Sequence, residues 1–292
     1  MQYIDKEPQR ADGNRITEEY LRTIYIEDER RYPVDYDGSF RTLPSKQNSF
    51  YRQMTQVLLL NQHGYCCYCM RRLTGEGDTT LEHIVPQTAT AEDLAKYGKD
   101  EFPYLKDHLK LSGVFSKEES PKFDQYPHTV AYDNLVASCK GLFPRLMRNG
   151  KVVNDQSGHT CNNIRGNNEA LPIYLLPNVS DLIKYQKNGD IVPADDKEWH
   201  DSALKVITSA KLSWKSLTEI RQLWYVLRDV TDEEIASCDD EKKRSDLIQD
   251  NLYLTDISKD KIDDLTQKFK KKDYWEVFLL YDWFHTVKWD VQ

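Results

Sequence analysis

"TTLEHIVPQ", residues 79–87, sets a carboxylate and an imidazole side by side in a run that opens on two threonines and closes on Pro86 and a glutamine. Thr79 to Pro86 reads as a short strand, because β-branched residues suit a pleated surface and proline removes a ladder donor where the strand should stop. Glu82 and His83 then sit at the end of that strand, either as buried polar residues or as groups placed to act on a bond. The stretch alone supports both readings, so its surroundings decide.

Six cysteines occur: Cys66, Cys67, Cys69, Cys139, Cys161 and Cys238. No apolar run approaches the roughly 20 residues that span a bilayer. The start, "MQYIDKEPQR", lacks the basic-then-apolar pattern of a secretion signal, so a cytoplasmic protein without a membrane anchor is expected. In that setting thiols are read first as metal ligands. Cys66 and Cys69 form a C-x-x-C knuckle whose two intervening residues let both sulfurs turn to one ion. Tetrahedral zinc needs two more ligands. Cys139 and Cys161 are the natural candidates, since each closes an ordered-looking segment, "NLVASC" and "HTC". His159, two residues before Cys161, is the rival ligand. Cys67 points away from the knuckle, and Cys238 lies in a remote helical part.

The 292 residues allow one large domain or two modest ones, and the pattern is α+β. Residues 1–64 read as an N-terminal helical segment. "ITEEYLRTIY" suits a short helix, and a second helix, capped by Ser45 or Ser49, carries Tyr51, Met54, Val57 and Leu58 at helical spacing and stops at Gly64. Residues 65–177 hold the cysteines and the Glu-His strand, with a polar excursion over 88–128 in which "AEDLAKYG" reads as a short helix ending at Gly98. Residues 178–292 begin with a hairpin about Asn188-Gly189 and continue as helices with apolar residues three and four apart.

A net charge of −8 excludes a surface that is basic throughout, as general phosphate binding would need. A local basic face is expected between Lys140 and Arg165, where Lys140, Arg145, Arg148, Lys151 and Arg165 stand against Asp155 alone.

The order "CCYC", "LEHIVPQ", "YDNLVASC", "CNNIRG" resembles the HNH endonucleases in their zinc-stapled ββα-metal form, over Cys66 to Gly166. The pattern falls on Glu82-His83, Asn134 and Asn162. The resemblance implies a small ββα-metal core with structural Zn²⁺ and hydrolysis of DNA phosphodiesters. His83 would deprotonate the attacking water, and Glu82 and Asn162 would offer oxygens to a catalytic Mg²⁺ or Mn²⁺. Asn134 would hold the His83 loop, and Arg165 would contact phosphate. Asn134 also suits a simple turn, and Asn162 or Asn163 a helix cap. One departure is the separation of Cys139 from Cys161 by about twenty residues, where the family often has a second C-x-x-C; the insertion is read as a loop whose ends meet at the zinc.

More loosely, "GYCCYC", "LPIYLLP" and "LKVITSAKLSWKSLTEIR" look like the HNH subfamily that includes the PtuB nuclease subunit of Septu anti-phage systems. That likeness implies nucleic acid as substrate and an ATPase partner of PtuA type, with the Trp- and Tyr-rich tail as docking surface. Alternatives are a zinc-stapled binding module without hydrolysis and a stand-alone restriction-type enzyme.

Overall fold

In the computed structural model, residues 1–27, 38–111, 125–146, 152–166, 168, 170–252 and 254–290 are described. The first helix, α1 (Arg10–Glu27), is longer than "ITEEYLRTIY" because its first turn is anchored from outside: Arg10 Nε donates to the buried Asp133 at 3.1 Å, and Gly13 abuts the Tyr132 ring where a Cβ would collide. Ile16, Tyr20 and Ile24, four apart, face the core. The second helix, α2 (Phe50–Asn61), begins at Ser49, whose hydroxyl accepts from Arg52 N at 3.3 Å. Beyond it His63 and Gly64 have φ of 53° and 76°, and this left-handed pair turns the chain into the cysteine knuckle.

The central unit is an antiparallel pair, β1 (Thr79–His83) with β4 (Leu135–Cys139), in which Thr79 faces Cys139 and His83 faces Leu135. Between them the excursion folds as α3 (Ala91–Tyr97), α4 (Pro103–Asp107) and a two-residue parallel pair, β2 (Leu109–Lys110) and β3 (Tyr126–Pro127). After β4 the chain is not a loop. It forms an antiparallel hairpin, β5 (Leu142–Leu146) and β6 (Val152–His159), then a one-turn helix, α5 (Asn162–Arg165).

The remainder comprises α6 (Val179–Leu182), the hairpin β7 (Ile183–Gln186) and β8 (Ile191–Pro193), and the helices α7 (His200–Ser209), α8 (Lys215–Val226), α9 (Asp232–Ala236), α10 (Glu241–Leu252), α11 (Lys259–Phe269) and α12 (Lys272–Leu279). A last short strand, β9 (Trp289–Asp290), returns to lie parallel to β7. The architecture is α+β, with small sheets among many helices. One buried cluster draws on all three stretches of the chain, from Met1 to Phe284. Trp224 stacks on Phe278 at 3.9 Å and Trp275 lies 5.3 Å from the same ring, so these tryptophans fill the interior. Among the described residues no helix is long and apolar enough to cross a membrane.

Candidate functional site

The knuckle is shaped by backbone bonds before any metal is considered. Cys66 N donates to Arg71 O at 2.9 Å, Met70 N donates to Cys66 O at 3.2 Å, and Met70 takes a φ of 63°. Cys139 N, at the end of β4, donates to Cys66 Sγ at 3.3 Å. The β5–β6 hairpin closes on itself through Thr160 N to Gly141 O, 2.9 Å, and so delivers Cys161 beside Cys139 despite the length of the insertion. The four sulfurs of Cys66, Cys69, Cys139 and Cys161 lie within 4.8 Å of one another, all buried. Cys69 and Cys139 Sγ are 3.8 Å apart. Tetrahedral zinc with Zn–S of about 2.3 Å requires an S···S separation of about 3.8 Å, far beyond a disulfide. The donor set therefore fits a structural metal such as Zn²⁺.

Charge supports the same fit. Four thiolates around Zn²⁺ leave two negative charges in the interior, and a compensating cation is present. Arg221 is fully buried, donates to Gly189 O at 3.2 Å and Leu212 O at 2.6 Å, and has no carboxylate at ion-pair distance among the described residues. Burial pulls its pKa down to about 10, and the nearby Cys69 and Cys161 sulfurs oppose that shift. Cys161 also carries strain: its φ of 55° and ψ of −134° fall near a region that glycine alone occupies readily. His159 is outside the cluster; its Nδ1 pairs with Asn163 Nδ2 at 2.8 Å.

β1 stops at His83, not Pro86, because Asn134 captures the backbone beyond it. Asn134 Oδ1 accepts from Val85 N at 2.7 Å, its Nδ2 donates to Val85 O at 3.0 Å and His128 O at 2.6 Å, and its own carbonyl accepts from Ile84 N at 2.9 Å. The side chain is fully buried, so each of these bonds replaces one that water cannot make.

His83 is held by its ring nitrogens. Nε2 lies 2.8 Å from Thr129 O. A carbonyl only accepts, so Nε2 carries the hydrogen and Nδ1 presents its lone pair, 3.2 Å from Gln87 Nε2. Burial lowers the His83 pKa to about 4, against the Thr129 carbonyl, which raises it; His128 and Arg165 lower it further. The ring is therefore a neutral base near pH 7.

Glu82 is buried, and burial raises its pKa while Arg165 opposes the rise. Its Oε1 receives both Arg165 Nη1 and Tyr68 Oη, the latter at 3.1 Å. Arg165, read from the sequence as a phosphate contact, is 2 % exposed and has a structural use: it also donates to His83 O at 2.9 Å and Ile84 O at 3.0 Å. Asn162 Nδ2 donates to Thr80 Oγ1 at 2.9 Å, whereas Asn163 turns to Lys140 O and His159. Of the two asparagines, Asn162 is the one that joins Glu82, His83 and Arg165 around a cavity of about 480 Å³.

Three further residues of that cavity escaped sequence reading: Arg41, Tyr51 and Gln87. Gln87 closes the quoted segment and could have been noticed as a polar group four residues beyond His83. Arg41 sits in what reads as an irregular connector, and nothing in its neighbourhood signals a site. Of the residues of the expected basic face, Arg165 is buried and Lys140 Nζ donates to Gly77 O, while Arg145, Arg148 and Lys151 lie outside the residues whose side chains are described. Comparison of the chain with protein-family models, with curated proteins and with solved structures returned no match.

Proposed function

We propose that this chain is a metal-dependent endonuclease of the HNH type, hydrolysing phosphodiester bonds of DNA, with His83 as general base. The observation that carries the reading is that His83, Glu82 and Asn162 line one cavity while the cysteine cluster holds the strand and helix that bear them. The base needs a lone pair, a fixed direction and a neutral ring at working pH. Geometry at Nδ1 supports the role, since the Thr129 carbonyl fixes the tautomer; burial keeps the ring unprotonated at the cost of basicity, which a bound cation that lowers the pKa of the attacking water would offset. A proton taken from water by Nδ1 would convert the ring to imidazolium, which the Thr129 carbonyl stabilises through Nε2–H.

Glu82 and Asn162 would hold Mg²⁺ or Mn²⁺, which when bound supplies charge neutralisation at the phosphate and the leaving oxygen. The donors fit a hard cation: both are oxygen-bearing, and Arg165 and Tyr68 occupy Oε1 of Glu82 and leave Oε2. Arg165 opposes the rise that burial gives the Glu82 pKa and so favours the carboxylate, and Asn134 fixes the loop that aims the ring. In cells the reading extends to an anti-phage effector acting beside an ATPase of PtuA type.

The test is plasmid cleavage with Mg²⁺ or Mn²⁺, by the protein alone and with a partner ATPase, comparing wild type with His83→Ala. Loss of at least about 100-fold in the variant is expected for a general base; equal rates would end the assignment. The ion pair of Glu82 with Arg165 favours one other reading, a zinc-stapled nucleic-acid-binding module, which predicts full zinc content and no cleavage with either ion.

A further inference from the structure

Three cations, one at the His83 pocket and two at a second concavity, stand apart from the ion-pair pattern of the surface. Arg41 lines the pocket, with its guanidinium 4.1 Å from the centre of the Tyr51 ring. That ring is itself fixed, since Tyr51 Oη donates to Thr79 O at 2.9 Å. Arg41 is exposed and no carboxylate among the described residues lies at ion-pair distance from it. A second concavity, of about 400 Å³, is rimmed by Lys96, Lys99 and Lys205 over a floor that includes Leu171. Lys96 is paired with Asp93 at 2.9 Å. Lys99 and Lys205 are exposed and form no ion pair among the described residues; Lys99 Nζ has only the Trp199 ring, 5.6 Å away.

The two concavities adjoin along the chain. Gly166 lines the first and Ala170 the second, four steps apart along the chain with three residues between them. Four chain steps reach at most about 14 Å, the rise of about four base pairs along a duplex axis. In a chain of net charge −8, the rim of the second concavity carries three lysines against Asp201 alone.

We propose that the phosphodiester chain flanking the scissile bond leaves the His83 pocket into the Lys99–Lys205 concavity, and that Arg41, Lys99 and Lys205 contact its phosphates. This rests on the nuclease reading of that pocket. Arg41, backed by an aromatic face, presents its N–H edge for two-pronged contact with a phosphate beside the reacting one, a use that Arg165 cannot serve from within its ion pair. The lysines supply point charges farther along. Their contribution is electrostatic and independent of sequence, so it must appear in the salt dependence of binding.

The experiment measures binding of a 30-base-pair DNA duplex to full-length zinc-loaded protein carrying His83→Ala, between 50 and 200 mM salt. Arg41→Ala, Lys99→Ala and Lys205→Ala should each flatten the slope of log K against log salt by about 0.9, and the triple variant by roughly three times that. Lys243→Ala, on α10, should leave it unchanged, and zinc content and circular dichroism should match across the set. An unchanged slope in the triple variant overturns the proposal, as does a loss carried instead by Arg145→Ala with Arg148→Ala. Cleavage by protein with native His83 separates the two readings. DNA cut normally by the triple variant, with unchanged slope, removes the track and keeps the nuclease. Binding that depends on the three cations without any cutting keeps the track and removes the nuclease.

Discussion

His83 is neutral in the fold, and that has a measurable pH signature. Its pKa is near 6.5 in an unfolded chain and about 4 in the native one. Between those values the unfolded chain binds the extra proton, so stability contributed by the neutral ring is complete above about pH 6.5 and is lost as pH falls toward 4, by about 3 kcal/mol in all. Denaturant unfolding at pH 7, 5.5 and 4.5 should show a shallower acid loss for His83→Gln than for wild type. The same shift predicts no break in the cleavage rate near pH 6.5; an inflection there would mean a solvated, ordinary imidazole. At the neighbouring position, Asn134→Ala would leave Val85 N–H and two carbonyls buried without partners, costing on the order of 3 kcal/mol at unchanged helix content. Cys66 and Cys69 were legible as a pair because C-x-x-C spacing is a local property, and Cys139 and Cys161 because each closes an ordered-looking segment. The fate of Arg165 was not, since its partners lie about eighty positions away and only the fold brings them to it.

Among the elements, the β5–β6 hairpin explains how a twenty-residue insertion can separate two cysteines of one cluster. Gly141 and Thr160 are hydrogen-bonded across its base, and Gly141, at φ 69°, lies where a Cβ would strike the Thr160 carbonyl. Replacing residues 142–159 with a two-residue glycine turn should therefore preserve one bound zinc per chain by elemental analysis; loss of the metal would show that the hairpin itself builds the site. The hairpin at Asn188–Gly189 and the capping of α2 could be read directly, because turn and cap residues act on their own backbone. The end of β1 could not: Pro86 was the visible stop signal, yet Asn134, fifty residues on, takes the backbone out of the ladder at Ile84. The excursion over 88–128 was legible in part: "AEDLAKYG" reads as a short helix ending at Gly98 and forms as α3, closed at its start by the local Thr90–Asp93 capping box, whereas α4 and the β2–β3 pair gave no such local signal.

Over the whole molecule, the cysteine cluster lies inside a buried core that extends through N-terminal helices, strands and C-terminal helices alike. Arg221 of α8 lies within electrostatic reach of the Cys69 and Cys161 sulfurs, so a metal bound by the four cysteines would couple the C-terminal helices to the central strands. Cys66→Ser or Cys161→Ser should drop zinc below one per chain and lower Tm by more than about 5 °C, read by calorimetry. A full zinc complement in both variants would dismiss the staple. The number of helices and the single core could not be drawn from composition; the segments 1–64, 65–177 and 178–292 were legible only as changes in sequence character.

The left-handed backbone at Cys161 has one more consequence. A non-glycine residue there costs on the order of 1–3 kcal/mol, and a metal on its sulfur would help the Cys161 N–H bond to Ala210 O hold it, so chelation should loosen the cap of α5, and Asn162 and Arg165 with it. Amide exchange over 160–166 should then accelerate before the rest of the core loosens, which would make metal occupancy a latch on the cavity and not merely a rivet in the scaffold.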